Sequence, residues 1–223
     1  MPTVEPVKSA ARRRTLEARW PASLAVLVAI ALYVTLPDSL QLGPRWLFPV
    51  LEGAILVPLT LVRPHRHAGE AGPTRIAAIV LIALANVGNV ISLGLLLHHL
   101  IRGEHFDGRT LIFSAVQIYL TNVIIFGLWF WELDRGGPAA RLGTESRYPD
   151  FLFPQMNAAG HAPANWRPAF LDYLYVSLTN ATAFSPTDTM PLTSWAKVLM
   201  GIQSLASLLT VALVAGRAVN ILS

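Results

Sequence analysis

The chain has 223 residues, of which 53% are hydrophobic and only 13% charged, with a formal net charge of +4. A soluble domain carries about a quarter charged residues, so so few cannot cover a soluble surface, and the sequence reads as a multi-span α-helical membrane protein. The absence of cysteine excludes disulfides, thiolate catalysis and cysteine metal sites, and the basic residues flank apolar runs, as membrane topology rather than nucleic-acid binding requires.

Residues 1–19 form a basic tail with Lys8, Arg12, Arg13, Arg14 and Arg19. A bilayer core of about 30 Å takes roughly 20 helical residues. The run from Trp20 to Pro37 is read as a retained first span, because it lacks a clear small-residue cleavage site. Trp46–Val62 is a short second span carrying Pro49, Glu52, Gly53 and Pro58. Ile76–Leu97 is the third, with Asn86, Gly88 and Asn89. Residues 20–109 thus form a three-helix N-terminal membrane domain. Thr110–Trp131 is a fourth span that ends in the interfacial run Trp129-Phe130-Trp131.

Residues 135–168 contain four glycines and five prolines and read as an aqueous loop. Within it, Tyr148–Pro154 is aromatic enough to lie at the membrane surface. Ala169–Ala181 is apolar but only 13 residues long, which suits a re-entrant helix. The polar, proline-broken segment Thr182–Pro191 follows, then a last span over about Thr193–Arg217. The expected fold is all-α: five transmembrane helices with a re-entrant half-helix and loop before the fifth. A C-terminal unit, 110–223, comprises an outer helix (110–133), a loop (134–168), a re-entrant segment (169–191) and an inner helix (193–217).

The segment Tyr175–Asp188 reads Tyr-Val-Ser-Leu-Thr-Asn-Ala-Thr-Ala-Phe-Ser-Pro-Thr-Asp. It resembles the pore loop of potassium channels, roughly aromatic-x-S-x-x-T-x-T-T-V-G-Y-G-D, with Ser177, Thr182 and Asp188 on matching positions. Downstream, Asp188, Pro191, Thr193, Trp195 and Lys197 are similar to the D-x-x-P-x-T-x-W-x-R stretch that enters the inner helix of simple bacterial channels. The resemblance covers about 50 residues, Phe170 to Asn220. The whole chain also looks like a class of bacterial multi-span proteins with such a C-terminal loop. The resemblance implies a homotetramer around a path for monovalent cations, in the bacterial inner (plasma) membrane.

The filter-like positions are Thr182, Ala183, Phe184, Ser185, Pro186, Thr187 and Asp188. Where the channels have G-Y-G, this chain has Ser185-Pro186-Thr187. Pro186 fixes its own φ and restricts Ser185, so a filter of inward-pointing carbonyls is not expected. Hydroxyls and a carboxylate ring would instead favour hydrated cations with weak selectivity, or Phe184 would form an apolar plug. On the inner helix, Gln203, Ser207 and Thr210 are candidate lining residues. Glu52 is an ionisable residue at membrane depth, which is functional by default; the alternative is an interhelical hydrogen bond to Asn86, Asn89 or Asn122. His98, His99, Glu104, His105 and Asp107 cluster between spans and read as a solvated turn rather than a metal site. No phosphate loop, nucleophile elbow or zinc motif is present, and nothing calls for an enzyme or a cofactor.

With the N-terminus in the cytoplasm, thirteen Lys and Arg fall inside and four (Arg45, Arg102, Arg109 and Arg217) outside. That bias sets orientation during insertion and puts the pore-like loop on the cytoplasmic side. A cation pore is the first functional expectation. A non-conducting scaffold or sensor, and a small-solute transporter using Glu52 and the intramembrane amides, are the alternatives.

Overall fold

The computed structural model describes residues 19–61, 71–102, 107–142, 148–157, 162–163, 166–183 and 188–222. Seven α-helices follow in order among these residues: α1 (Trp20–Val34), α2 (Leu47–Leu61), α3 (Ala71–Ile101), α4 (Gly108–Leu133), the single turn α5 (Pro154–Asn157), α6 (Phe170–Ala183) and α7 (Ser194–Leu222). Two short strands, β1 (Phe151–Leu152) and β2 (Met190–Pro191), pair antiparallel. The fold is all-α apart from that ladder.

The helices arise where long apolar runs meet few breakers. α1 opens with a proline in its first turn, where the missing N–H costs nothing. It ends at Val34, where Thr35 turns its hydroxyl back to the Ala31 and Leu32 carbonyls ahead of Pro37. Gly72–Ile101, Gly108–Gly136 and Ser194–Gly216 are long and apolar enough to cross a membrane, whereas α1 and α2 are apolar but shorter. At 15 residues each, these two reach only about 22 Å. The expected span at 20–37 therefore ends three residues early, at Val34, and within the one at 46–62 the helix covers Leu47–Leu61.

Two apolar clusters fix the direction of each helix. One gathers Ala22 and Ala25 of α1, Leu56 of α2, Leu81 of α3, Phe126 and Phe130 of α4, Tyr173 of α6 and Met200 of α7. The other gathers Tyr33, Phe48, Leu93, Leu96, Leu111 and Ile118, with Leu213 of α7 against them. Thus α1, α3 and α7 run one way, and α2 and α4 the other. α4 is the axis: 61% of its spanning window is buried, against 33% for α3 and 22% for α7. The outward faces carry large apolar side chains such as Leu24, Val57, Val90, Phe113 and Leu205, a surface for lipid rather than water. The chain is a membrane-embedded helical protein.

Within residues 148–157, Phe151 and Phe153 are buried in the protein, while Tyr148 projects outward. Phe151 sits among Phe130, Tyr173 and Trp195, with ring centroids 5.0, 6.2 and 5.9 Å away. Its ladder partner Pro191 has no N–H to donate, so the strand pair is held by this aromatic packing as much as by its two rungs.

α6 lies against α4 at Gly127. A Cβ placed there would come 3.1 Å from the Leu174 Cα. Gly127→Ala is expected to lower stability by about 1–3 kcal/mol, the cost of overpacking. Gly94→Ala on α3, where nothing lies within 4 Å, should be neutral or stabilising by up to about 1 kcal/mol. Thermal unfolding of the two variants in one detergent, followed by circular dichroism, checks both.

Candidate functional site

The site is built where α6 wedges between α4 and α7. Its first residue, Phe170, meets Trp131 near the C-terminal end of α4, with ring centroids 5.9 Å apart. Its last turn reaches Tyr119, whose hydroxyl donates to Thr182 Oγ1 at 3.0 Å, while Thr182 itself donates to the Leu178 carbonyl. Fourteen residues make about 21 Å of helix. α6 therefore runs beside the C-terminal half of α4 and stops near its middle. α7 starts at the end where α6 starts, since Trp195 donates its indole N–H to Asp150 Oδ1 at 2.9 Å. The two helices are parallel, and Met190–Pro191, between them in sequence, pairs at that same end.

A fully buried carboxylate organises that end. Asp134 follows α4 and accepts the Tyr173 hydroxyl at 2.5 Å, the Arg135 Nε at 3.1 Å and the Asp150 backbone N–H at 2.8 Å. Asp150 returns the contact by accepting the Arg135 N–H at 2.7 Å, and its own carbonyl accepts the Leu192 N–H. Arg141 donates to the Trp131 and Asp134 carbonyls and lies over the Tyr173 ring. This wiring needs a tight turn after α4. Arg135, Gly136 and Gly137 all have positive φ, at 53°, 83° and 98°. Gly137 admits nothing else, because a Cβ would fall 2.9 Å from the Glu132 carbonyl oxygen.

A second polar seam ties α6 to its neighbours along its length. Ser177 donates to the Val123 carbonyl of α4 at 2.6 Å. Gln203 of α7 donates to the Ser177 carbonyl and hydroxyl, and accepts from Asn180 Nδ2 at 2.8 Å. Asn180 also reaches the Met200 carbonyl, and Asn122 of α4 donates to Ser207 Oγ at 2.9 Å.

The expected site residues are distributed as follows. Thr182 lies at the inner end of α6 and is exposed, as is Asp188. Ala183 is the last residue of α6, and Phe184, Ser185, Pro186 and Thr187 lie outside the described residues. Gln203, Ser207 and Thr210 are at most 3% exposed. Gln203 and Ser207 join the seam, and Thr210 donates to the Ala206 carbonyl of its own helix. Glu52 stands apart and is buried, on the same face of α2 as Phe48 and Leu56. Asn122, one of its suggested partners, is occupied by Ser207. Among the described residues no three His, Cys, Asp or Glu gather as a metal site. Sequence reading passed over Asp134, Asp150 and Tyr173, although the Asp-Arg-Gly-Gly-Pro turn at 134–138 marks the position.

No family model matches the chain, and no curated protein or solved structure matches it.

Breaking a buried charged network by removing one partner costs about 3–5 kcal/mol. Asp134→Asn is expected to lose stability on that scale and to expose the Tyr173 environment, read by near-ultraviolet circular dichroism. Asp38→Asn is the control. It removes a pair with Arg45 whose side chains are 80% and 54% exposed, and should cost less than about 1 kcal/mol.

Proposed function

We propose that the chain is an ion-channel-like membrane protein in which α6 dips partway into the membrane and the chain returns to the side it came from. Four copies surround a path for hydrated monovalent cations, lined by side chains of Thr182–Asp188. One observation carries the reading: α6 and α7 begin at the same end of α4, yet α6 stops near the middle of α4. A helix that ends there leaves its last carbonyls without intrahelical partners. Such groups are tolerated at membrane depth only where they meet protein or line water. The resemblance at Ser177, Thr182 and Asp188 points the same way.

Gln203 and Ser207 serve in this reading as ties that hold the half-helix, not as path lining, because their polar atoms already bond α6 and α4. The outward face of α7, with Ile202, Leu205, Leu208 and Val211, is apolar. That face favours the second reading, a non-conducting scaffold or sensor of the same fold. Reconstituted flux separates the two. The pore predicts cation-selective flux that falls about fivefold in Asp188→Asn, the loss of roughly 1 kcal/mol of attraction at a wet site, and a four-fold particle along the membrane normal. Ion-tight vesicles and a monomeric particle would leave only the scaffold.

Orientation follows from charge. Among the described residues, Arg19, Arg75, Arg135, Arg141, Arg167 and Lys197 cluster at the end where α6 starts, against Arg45, Arg102 and Arg109 at the other. We place the first end, with the N-terminus, in the cytoplasm of a cell whose inner membrane holds the protein. The natural chain has no cysteine, so single-cysteine labelling reads this directly. Asp38→Cys should react with an impermeant thiol reagent in intact cells and Tyr148→Cys only after permeabilisation; the reverse pattern inverts the assignment.

A further inference from the structure

At the arginine-rich end, a groove of about 840 Å³ opens between the start of α3, the turn after α4 and the start of α7. Its walls include Arg75, Arg135, Tyr148, Trp195, Val198 and Leu199. Two guanidinium nitrogens, Arg75 Nε and Arg135 Nη2, are buried without a hydrogen-bond partner among the described residues. Leaving such donors unpaired is costly, and both arginine side chains line the groove. Two acids close at hand are already engaged, and a third, Glu132, is buried beside Arg75 at Gly137. Asp134 accepts from Tyr173 and Arg135, and Asp150 from Trp195 and the Arg135 N–H.

The groove has an apolar continuation. Val198 on its wall is the first of a stripe with Ile202 and Leu205 along α7, which are 60%, 50% and 69% exposed. Its position in the fold is equally specific. The three membrane-length spans begin or end at Gly72, Gly136 and Ser194, so the groove sits at headgroup level. Tyr148 and Trp195 are the aromatic types that favour that depth.

We propose that this groove is a binding site for an anionic phospholipid. The phosphate diester sits between Arg75 and Arg135, and an acyl chain lies along Val198, Ile202 and Leu205. The match is of charge to charge and of apolar stripe to chain. Basic pockets between spanning helices take anionic headgroups for this reason. The site rests on membrane embedding and not on conduction, and liposome flotation of the protein separates a failure of embedding from a failure of the site.

The test uses the full chain, delipidated in mild detergent, with its unfolding midpoint titrated against three probes: phosphatidylglycerol, phosphatidylcholine and inorganic phosphate. Phosphatidylglycerol should raise the midpoint saturably, at a concentration about fivefold below that needed for phosphatidylcholine, the weight of one cation at a membrane surface. Arg75→Gln should erase the preference and Arg75→Lys should keep it; Arg75, unlike Arg135, is outside the Asp134 network. Native mass spectrometry of the wild-type protein from mixed micelles, where a phosphatidylglycerol adduct should dominate, decides the matter even if Arg75→Gln fails to fold. Equal responses to the two lipids, an unchanged preference in Arg75→Gln, or an equal response to inorganic phosphate would overturn the lipid assignment, the last in favour of a soluble anion.

Discussion

The carboxylate of Asp134 is the point on which this end of the molecule depends. Through one side chain it meets the turn that closes α4, the loop at Asp150 and α6 at Tyr173. Asp150 passes the connection on to Trp195 and Leu192, and so to α7 and β2. Four segments distant in sequence are thereby held at one place. A buried carboxylate is tolerable only when its lone pairs are occupied, and here three donors occupy them. The geometry of α6, and whatever the segment beyond it does, follows from this anchorage.

The two polar constellations differ in character. The end network is charged, and it uses a backbone turn that leaves Arg135 at positive φ, the one non-glycine residue so placed among the described residues. The seam of Ser177, Asn180 and Gln203 is neutral and lies at mid-height. Amide and hydroxyl ties between helices are worth about 1 kcal/mol each, so the seam sets register more than it sets stability. Gly127 completes the arrangement by letting the two backbones approach.

Much of this was legible in the sequence, for physical reasons. Long uncharged runs give helices whatever their partners, so α3, α4 and α7 extend only a few residues beyond the expected spans. Ala169–Ala181 was too short to cross, and the observed Phe170–Ala183 keeps that length. What the sequence concealed were the long-range bonds. Gln203 and Ser207 read as lining residues because a polar side chain on an apolar helix looks the same whether it faces water or a neighbouring carbonyl. Phe151 and Phe153 lie in a stretch rich in proline and glycine, and only the pairing of Phe151 with Pro191 explains why they turn inward. Asp134 and Asp150 drew no notice, because their burial depends on residues 16 positions apart meeting.

The brevity of α6 has a consequence for how the protein is made. A helix of 14 residues is marginal in water on its own and too short to be threaded across a bilayer as an independent unit. Its helicity is lent by its neighbours, and one of them, α7, leaves the ribosome after it. The segment therefore takes its place between α4 and α7 only after α7 has been synthesised.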